Sequence, residues 1–188
     1  RLRDDHLDVN VIVVSDHGMF PTSADHVLVL DDYLDLGQVQ VDFQESEAGL
    51  RPKDGNVDSV IHALAAIPAF FKPHFNIYRA GDLPARYHMA GNPRIPPVWV
   101  VPDEGWEVET RAKFETYRGH FHKGQHGYDP ASSSMHGIFI ASGPSFKTGG
   151  IVIDAFENIH IYNLMCAALG LHPAPNDGDD RLLRPILR

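Results

Sequence analysis

Val9-Asn10-Val11-Ile12-Val13-Val14-Ser15-Asp16-His17-Gly18-Met19 is the stretch from which the rest of this chain is read. Its nearly unbroken apolar run predicts a strand buried on both faces, as in the parallel sheets of α/β proteins. The run ends in adjacent Asp16 and His17, followed by Gly18, where the backbone is free to turn sharply. Ligands in open α/β sheets collect beyond the carboxyl ends of parallel strands, so this strand end is where a metal site is expected.

Outward from that strand, the chain alternates strand and helix signals. Val27 to Leu36 reads as a short strand and an irregular turn ending near Gly37, and Val39-Gln40-Val41-Asp42-Phe43 alternates with period two, as a half-buried strand does. The charged run Glu45 to Gly55 reads as surface loop. Val57, Val60, Ile61, Leu64 and Ile67 fall at helical spacing behind Asn56, a residue suited to cap the helix, and predict a helix ending near Pro68. Phe75 to Arg79, Val98 to Val101 and Ile138 to Ala141 are further strands, the last read as buried. Glu157 to Leu169 carries Ile159, Tyr162, Met165 and Leu169 on one face, with Gly170 just past its end, and is the clearest helix. The tail turns at Pro173 to Gly178 and closes on a short apolar segment, Leu182 to Leu187.

Length and composition bound the rest. The 188 residues, 43% hydrophobic, suffice for one domain with a sizeable core. A net charge of -9, with no dense basic run, argues against a nucleic-acid stripe. Cys166 is the single cysteine, which excludes an intrachain disulfide and a thiolate zinc site. On the apolar helix it reads as a small buried hydrophobe. No stretch approaches the roughly 20 apolar residues that span a bilayer. Arg1-Leu2-Arg3-Asp4-Asp5-His6 is not a signal peptide, and a core strand starting so soon, with no initiator Met, suggests a piece of a longer protein.

A second candidate site is Gly124-Gln125-His126-Gly127-Tyr128-Asp129. Glycine on both sides strips bulk from His126 and lets the backbone bend tightly, so its imidazole can reach a partner. Asp16, His17 and His126 form a nitrogen-and-oxygen donor set that suits Zn²⁺ first and Mn²⁺ second. Tyr128 and Asp129 either orient His126 or simply build the turn. His120 and His122, flanking that loop, read as solvated loop histidines before partners of the ligands or adventitious ligands, and Trp99 and Trp106 as packing residues, not a base-stacking platform.

These motifs carry a resemblance. Ser15-Asp16-His17-Gly18-Met19, Arg94-Ile95-Pro96-Pro97-Val98-Trp99, Gly124 to Asp129, Met135, Ile138 to Lys147, Phe156-Glu157-Asn158-Ile159, Tyr162 to Cys166 and Pro173 to Asn176 occur in one order over almost the whole chain. That ordered set resembles the nucleotide pyrophosphatase/phosphodiesterase family of the alkaline phosphatase superfamily.

The resemblance implies an alkaline-phosphatase-like α/β sandwich, with a mostly parallel sheet flanked by helices. It implies that residues 1–188 form a single partial domain, the C-terminal half of a catalytic domain. It implies hydrolysis of phosphodiester or pyrophosphate bonds in nucleotides or related substrates, outside the cytoplasm, with two zinc ions. By that match Asp16 and His17 ligate the ion that activates a threonine nucleophile, and His126 ligates the other. The motifs bearing the threonine and the remaining Asp, Asp and His ligands find no counterpart here, and Thr22, Thr110, Thr116 and Thr148 lie outside any matching context. Pro130 and Phe20 are smaller departures. The chain alone is therefore expected to be inactive, with uncovered sheet surface that seeks the other half of the domain or a second copy. The alternatives are a non-catalytic metal-binding module and a phosphomonoesterase or sulfatase-like member of the superfamily.

Overall fold

The structure, a computed structural model, describes residues 8–89 and 91–188. The opening hexapeptide, Arg1 to His6, lies outside the described residues. The chain divides into two units, Arg1–Asp16 with Gly137–Arg188 and His17–His136.

In the unit His17–His136 four strands pair in the order β3, β4, β6, β5: β3 is Val39–Phe43, β4 Ala48–Pro52, β5 Phe75–Arg79 and β6 Val98–Pro102. Every pairing among them is antiparallel. Both β4 and β5 therefore run opposite to β6 and parallel to each other, and the helix α1, Val57–Leu64, crosses between them. The arrangement is a βαβ unit split by an inserted strand. α1 starts where Asn56 accepts the Ser59 N–H at 3.1 Å and ends at Leu64, short of the expected Pro68. Its Val60 and Leu64 pack with Leu50, Val98, Val100, Leu28 and Val108 in the main core. A second pair in this unit, β2 (Val27–Val29) and β7 (Glu107–Glu109), is parallel. The helix α2, Arg111–Tyr117, follows β7 and is capped by Thr110, which accepts the Lys113 N–H.

Two expectations fail in this unit. Glu45 to Gly55 is not surface loop, because β4 lies within it with Ala48 and Leu50 wholly buried. Gly49 is what conceals the strand: a Cβ there would meet the Phe43 ring at 2.4 Å, so a strand residue had to be glycine. The sheet is also not mostly parallel among the described residues, where β2 with β7 is the one parallel pair. Short connections favour antiparallel neighbours, and the four-residue link between β3 and β4 leaves no room for a crossover.

In the other unit β1, Val11–Val14, pairs antiparallel with β8, Phe139–Ser142. Ile12, Phe139 and Ala141 turn inward against Phe146, Ile161, Leu164, Leu182 and Ile186. Those residues come largely from α3 (Ile161–Ala168) and α4 (Leu183–Ile186). α3 is shorter than the expected Glu157 to Leu169, because residues Asn158–His160 form a separate tight turn ahead of it. The opposite face of the pair carries Val9, Val11, Val13, Ile138 and Ile140, all exposed. The expectation of strands buried on both faces is thus half right: each has one covered face and one open one.

Candidate functional site

Beyond β1 the chain is fixed residue by residue. Within the unit His17–His136, the Gly18 N–H donates to Met135 O at 3.0 Å and the Met19 N–H to Ser134 O at 3.1 Å. A Cβ on Gly18 would lie 1.9 Å from Ser134 O, so the motif glycine is required by a backbone crossing and not only by a turn. Phe20 and Gln125 exchange backbone hydrogen bonds in both directions at 2.9 Å. That bridge ties the segment carrying His17 to the loop carrying His126.

The two imidazoles meet. Their rings stack with centroids 3.8 Å apart and planes 14° from parallel. His17 Nδ1 lies 2.7 Å from Gly18 O. A carbonyl only accepts, so Nδ1 carries a hydrogen, and in the neutral ring the lone pair then falls on Nε2, the form in which imidazole ligates a metal. Gly127, at φ +89°, takes the chain away from His126, and a Cβ there would strike the Ser46 hydroxyl at 2.6 Å. Asp16 closes the first unit as His17 opens the second.

The far side of the His126 loop is held by charge. Arg86 donates to both oxygens of Asp129, through Nε at 2.7 Å and through Nη2. The guanidinium holds the Asp129 carboxyl below the ordinary aspartate range. Tyr128, the residue before Asp129, is buried. Alongside opens a cleft of about 530 Å³ lined by Phe20, Tyr78, Arg86, Tyr87, Glu104 and Asp129, among others. Burial, and then repulsion from Asp129, push the neighbouring Glu47 carboxyl up to about 7.

A third group of residues escaped the sequence reading. Glu107 and Glu109, on one face of β7, are 1% and 0% exposed. His122 lies 2.6 Å from Glu107 Oε1, and the Tyr117 hydroxyl donates to Glu109 Oε1. Desolvation raises both carboxyls above the ordinary glutamate range, His122 and Tyr117 respectively opposing the shift. His122 is therefore bound to a buried carboxyl and is not a solvated loop histidine. The signal was present as Glu107-Val108-Glu109, whose alternation puts both acids opposite a core valine. Trp99, Trp106 and Cys166 are buried, in keeping with their reading as packing residues.

The donors suit zinc in kind and fall short in number. His17 and His126 offer nitrogen and Asp16 oxygen, the ligand types zinc takes. Among the described residues no three His, Cys, Asp or Glu side chains stand together closely enough to hold an ion. Nor is any helix, among the described residues, long and apolar enough to cross a membrane.

Comparison with known proteins gives these motifs a context. Residues 1–129 match the family described as type I phosphodiesterase / nucleotide pyrophosphatase. The chain is 34% identical over 186 residues to mouse ectonucleotide pyrophosphatase/phosphodiesterase family member 7, covering 96% of this chain and 40% of the relative. It is 39% identical over 197 residues to mouse family member 1, covering 100% of this chain and 21% of the relative. The structure of human ectonucleotide pyrophosphatase/phosphodiesterase 5 superposes with a TM-score of 0.84 at 32% identity, over 98% of this chain and 48% of that one. The murine counterpart has been solved as an inactive threonine-to-alanine form in complex with AMP, with the same TM-score of 0.84. The α/β architecture is thus the alkaline-phosphatase-like one that the motifs imply, in part of a domain.

Proposed function

Because the chain belongs to the type I phosphodiesterase / nucleotide pyrophosphatase family, we propose that it supplies one rim of a site that hydrolyses phosphodiester or pyrophosphate bonds in nucleotides or related substrates. The observation that carries this is the contact of His17 with His126, which brings the two family motifs face to face at 3.8 Å. AMP bound to the murine relative supports the nucleotide class of substrate.

His17, His126 and Asp16 are the residues that would hold zinc, in the family's pattern of two ions. Bound there, zinc would stabilise charge on phosphoryl oxygens and lower the pKa of an attacking hydroxyl. The chain's own part is to aim nitrogen. The hydrogen bond from His17 Nδ1 to Gly18 O makes Nε2 the ligating atom of the neutral ring, and the crossing at Gly18 fixes where that ring starts. His126 is followed by Gly127, whose lack of a side chain lets the backbone turn sharply beside the ring. The ecto names of the relatives support action outside the cytoplasm.

The chain spans 40% of the length of mouse family member 7 and 21% of that of member 1, and these 188 residues contain no threonine in a matching context. We therefore assign the nucleophile and the remaining ligands to sequence outside them, and read residues 1–188 as a single partial domain. The chain by itself is then a non-catalytic fragment or module, whose donors His17 and His126 form part of a metal site and not a whole one. Purified and supplied with zinc, it should leave bis-p-nitrophenyl phosphate intact. Turnover that disappears in His126→Ala would show instead that the site is complete.

A further inference from the structure

Glu45 holds a backbone conformation that its side chain resists. Its φ of +122° lies in the half of conformational space that glycine alone enters without strain. Two backbone hydrogen bonds to Val108 keep it there, Glu45 N–H to Val108 O at 2.9 Å and Val108 N–H to Glu45 O at 2.8 Å. Strain of this kind persists where the surroundings fix it, and it gathers at working sites.

The side chain so placed does something specific. Its Oε1 pairs with the Lys113 ammonium, and its Oε2 accepts from Gln125 Nε2 at 3.0 Å. A carboxylate has no hydrogen to give, so Gln125 must turn its NH2 toward Glu45 and its carbonyl oxygen the other way. There Gln125 Oε1 accepts the backbone N–H of His126 at 3.0 Å. The main chain of Gln125 is meanwhile locked to Phe20. Were the amide to flip, its NH2 would face the His126 N–H, donor against donor.

We propose that Glu45 is a positioning residue for His126: through the Gln125 amide it fixes the backbone at His126, and with it the contact of that ring with His17. Lys113 holds the carboxylate, the carboxylate orients the amide, and the amide holds the N–H. Arg86 and Asp129 secure the opposite flank of the loop. The value of this device for catalysis rests on His126 being a working residue of the proposed zinc site; the positioning itself does not.

The test uses the metal-free chain. Glu45→Gly removes the side chain and also relieves the strained φ, so it separates positioning from stability. The His126 amide should exchange with solvent at least about tenfold faster, and the nuclear Overhauser contact between the His17 and His126 rings should vanish, with no fall in Tm. Gln125→Ala should give the same two changes, and it carries the test if Glu45→Gly fails to fold. Unchanged exchange and an intact ring contact would overturn the proposal, whatever happens to Tm. If the ring contact responds to Glu45 while His126→Ala leaves zinc affinity untouched, the positioning stands and the proposed function falls.

Discussion

Strands β6 and β1 look alike as sequence and end differently. Val98-Trp99-Val100-Val101 and Val11-Ile12-Val13-Val14 are both continuous apolar runs. Every residue of β6 is buried, whereas three of the four in β1 are exposed. The difference lies in the neighbours. β6 is flanked by β4 and β5, and the main core that includes Val98 and Val100 is roofed by Val60 and Leu64 of α1. β1 has one strand partner among the described residues, and α3 covers one face. An apolar run therefore states what a strand can tolerate, and the partners decide whether it is covered.

The largest effect should come from placing the same charge in both strands. Val100→Asp puts an unpaired carboxylate at a fully buried position and should cost at least about 4 kcal/mol by denaturant unfolding. Val13→Asp, at a position 49% exposed, should stay within about 1 kcal/mol. If Val13→Asp also destabilised strongly, and did so in a protein-concentration-dependent way, a second copy would be covering β1 in solution.

A smaller effect follows from the same covering of the β3 to β6 sheet. Glu47, just ahead of β4, has its carboxyl raised from 4.5 to about 7 chiefly by burial. A raised carboxyl pKa means that the folded state prefers the protonated acid. Its contribution to stability is complete below the ordinary glutamate range and is lost as pH rises through about 7. Glu107 and Glu109 add in the same sense. Glu47→Gln should flatten part of the decline in Tm over that window, and an unaltered slope would show that Glu47 is solvated.

Much of the fold was legible because periodicity and caps act locally. Asn56 caps α1, Gly170 follows α3 at φ +68°, and β3, β5, β6 and β8 lie where alternating or continuous apolar residues put them. What escaped depended on contacts made at a distance. β4 was hidden by Gly49, whose need is set by the Phe43 ring packed on it. β7 was hidden by Glu107 and Glu109, acids that only burial against His122 and Tyr117 makes sense of. The mostly parallel order was what the resemblance implied, and the insertion of β6 between β4 and β5 leaves no trace in local sequence. The site divides in the same way: His17 and His126 could be named from their glycine-flanked motifs, but neither their stacking nor the Glu45 and Gln125 relay could.

Calorimetric titration of zinc into the metal-free chain, beside His17→Ala and His126→Ala, tests the central claim most directly. The stacked imidazoles should contribute nitrogen to bound zinc, so each substitution should weaken binding by at least about tenfold, or about 1.4 kcal/mol. Equal zinc affinity in all three proteins would contradict the claim that this pair forms a rim of a metal site.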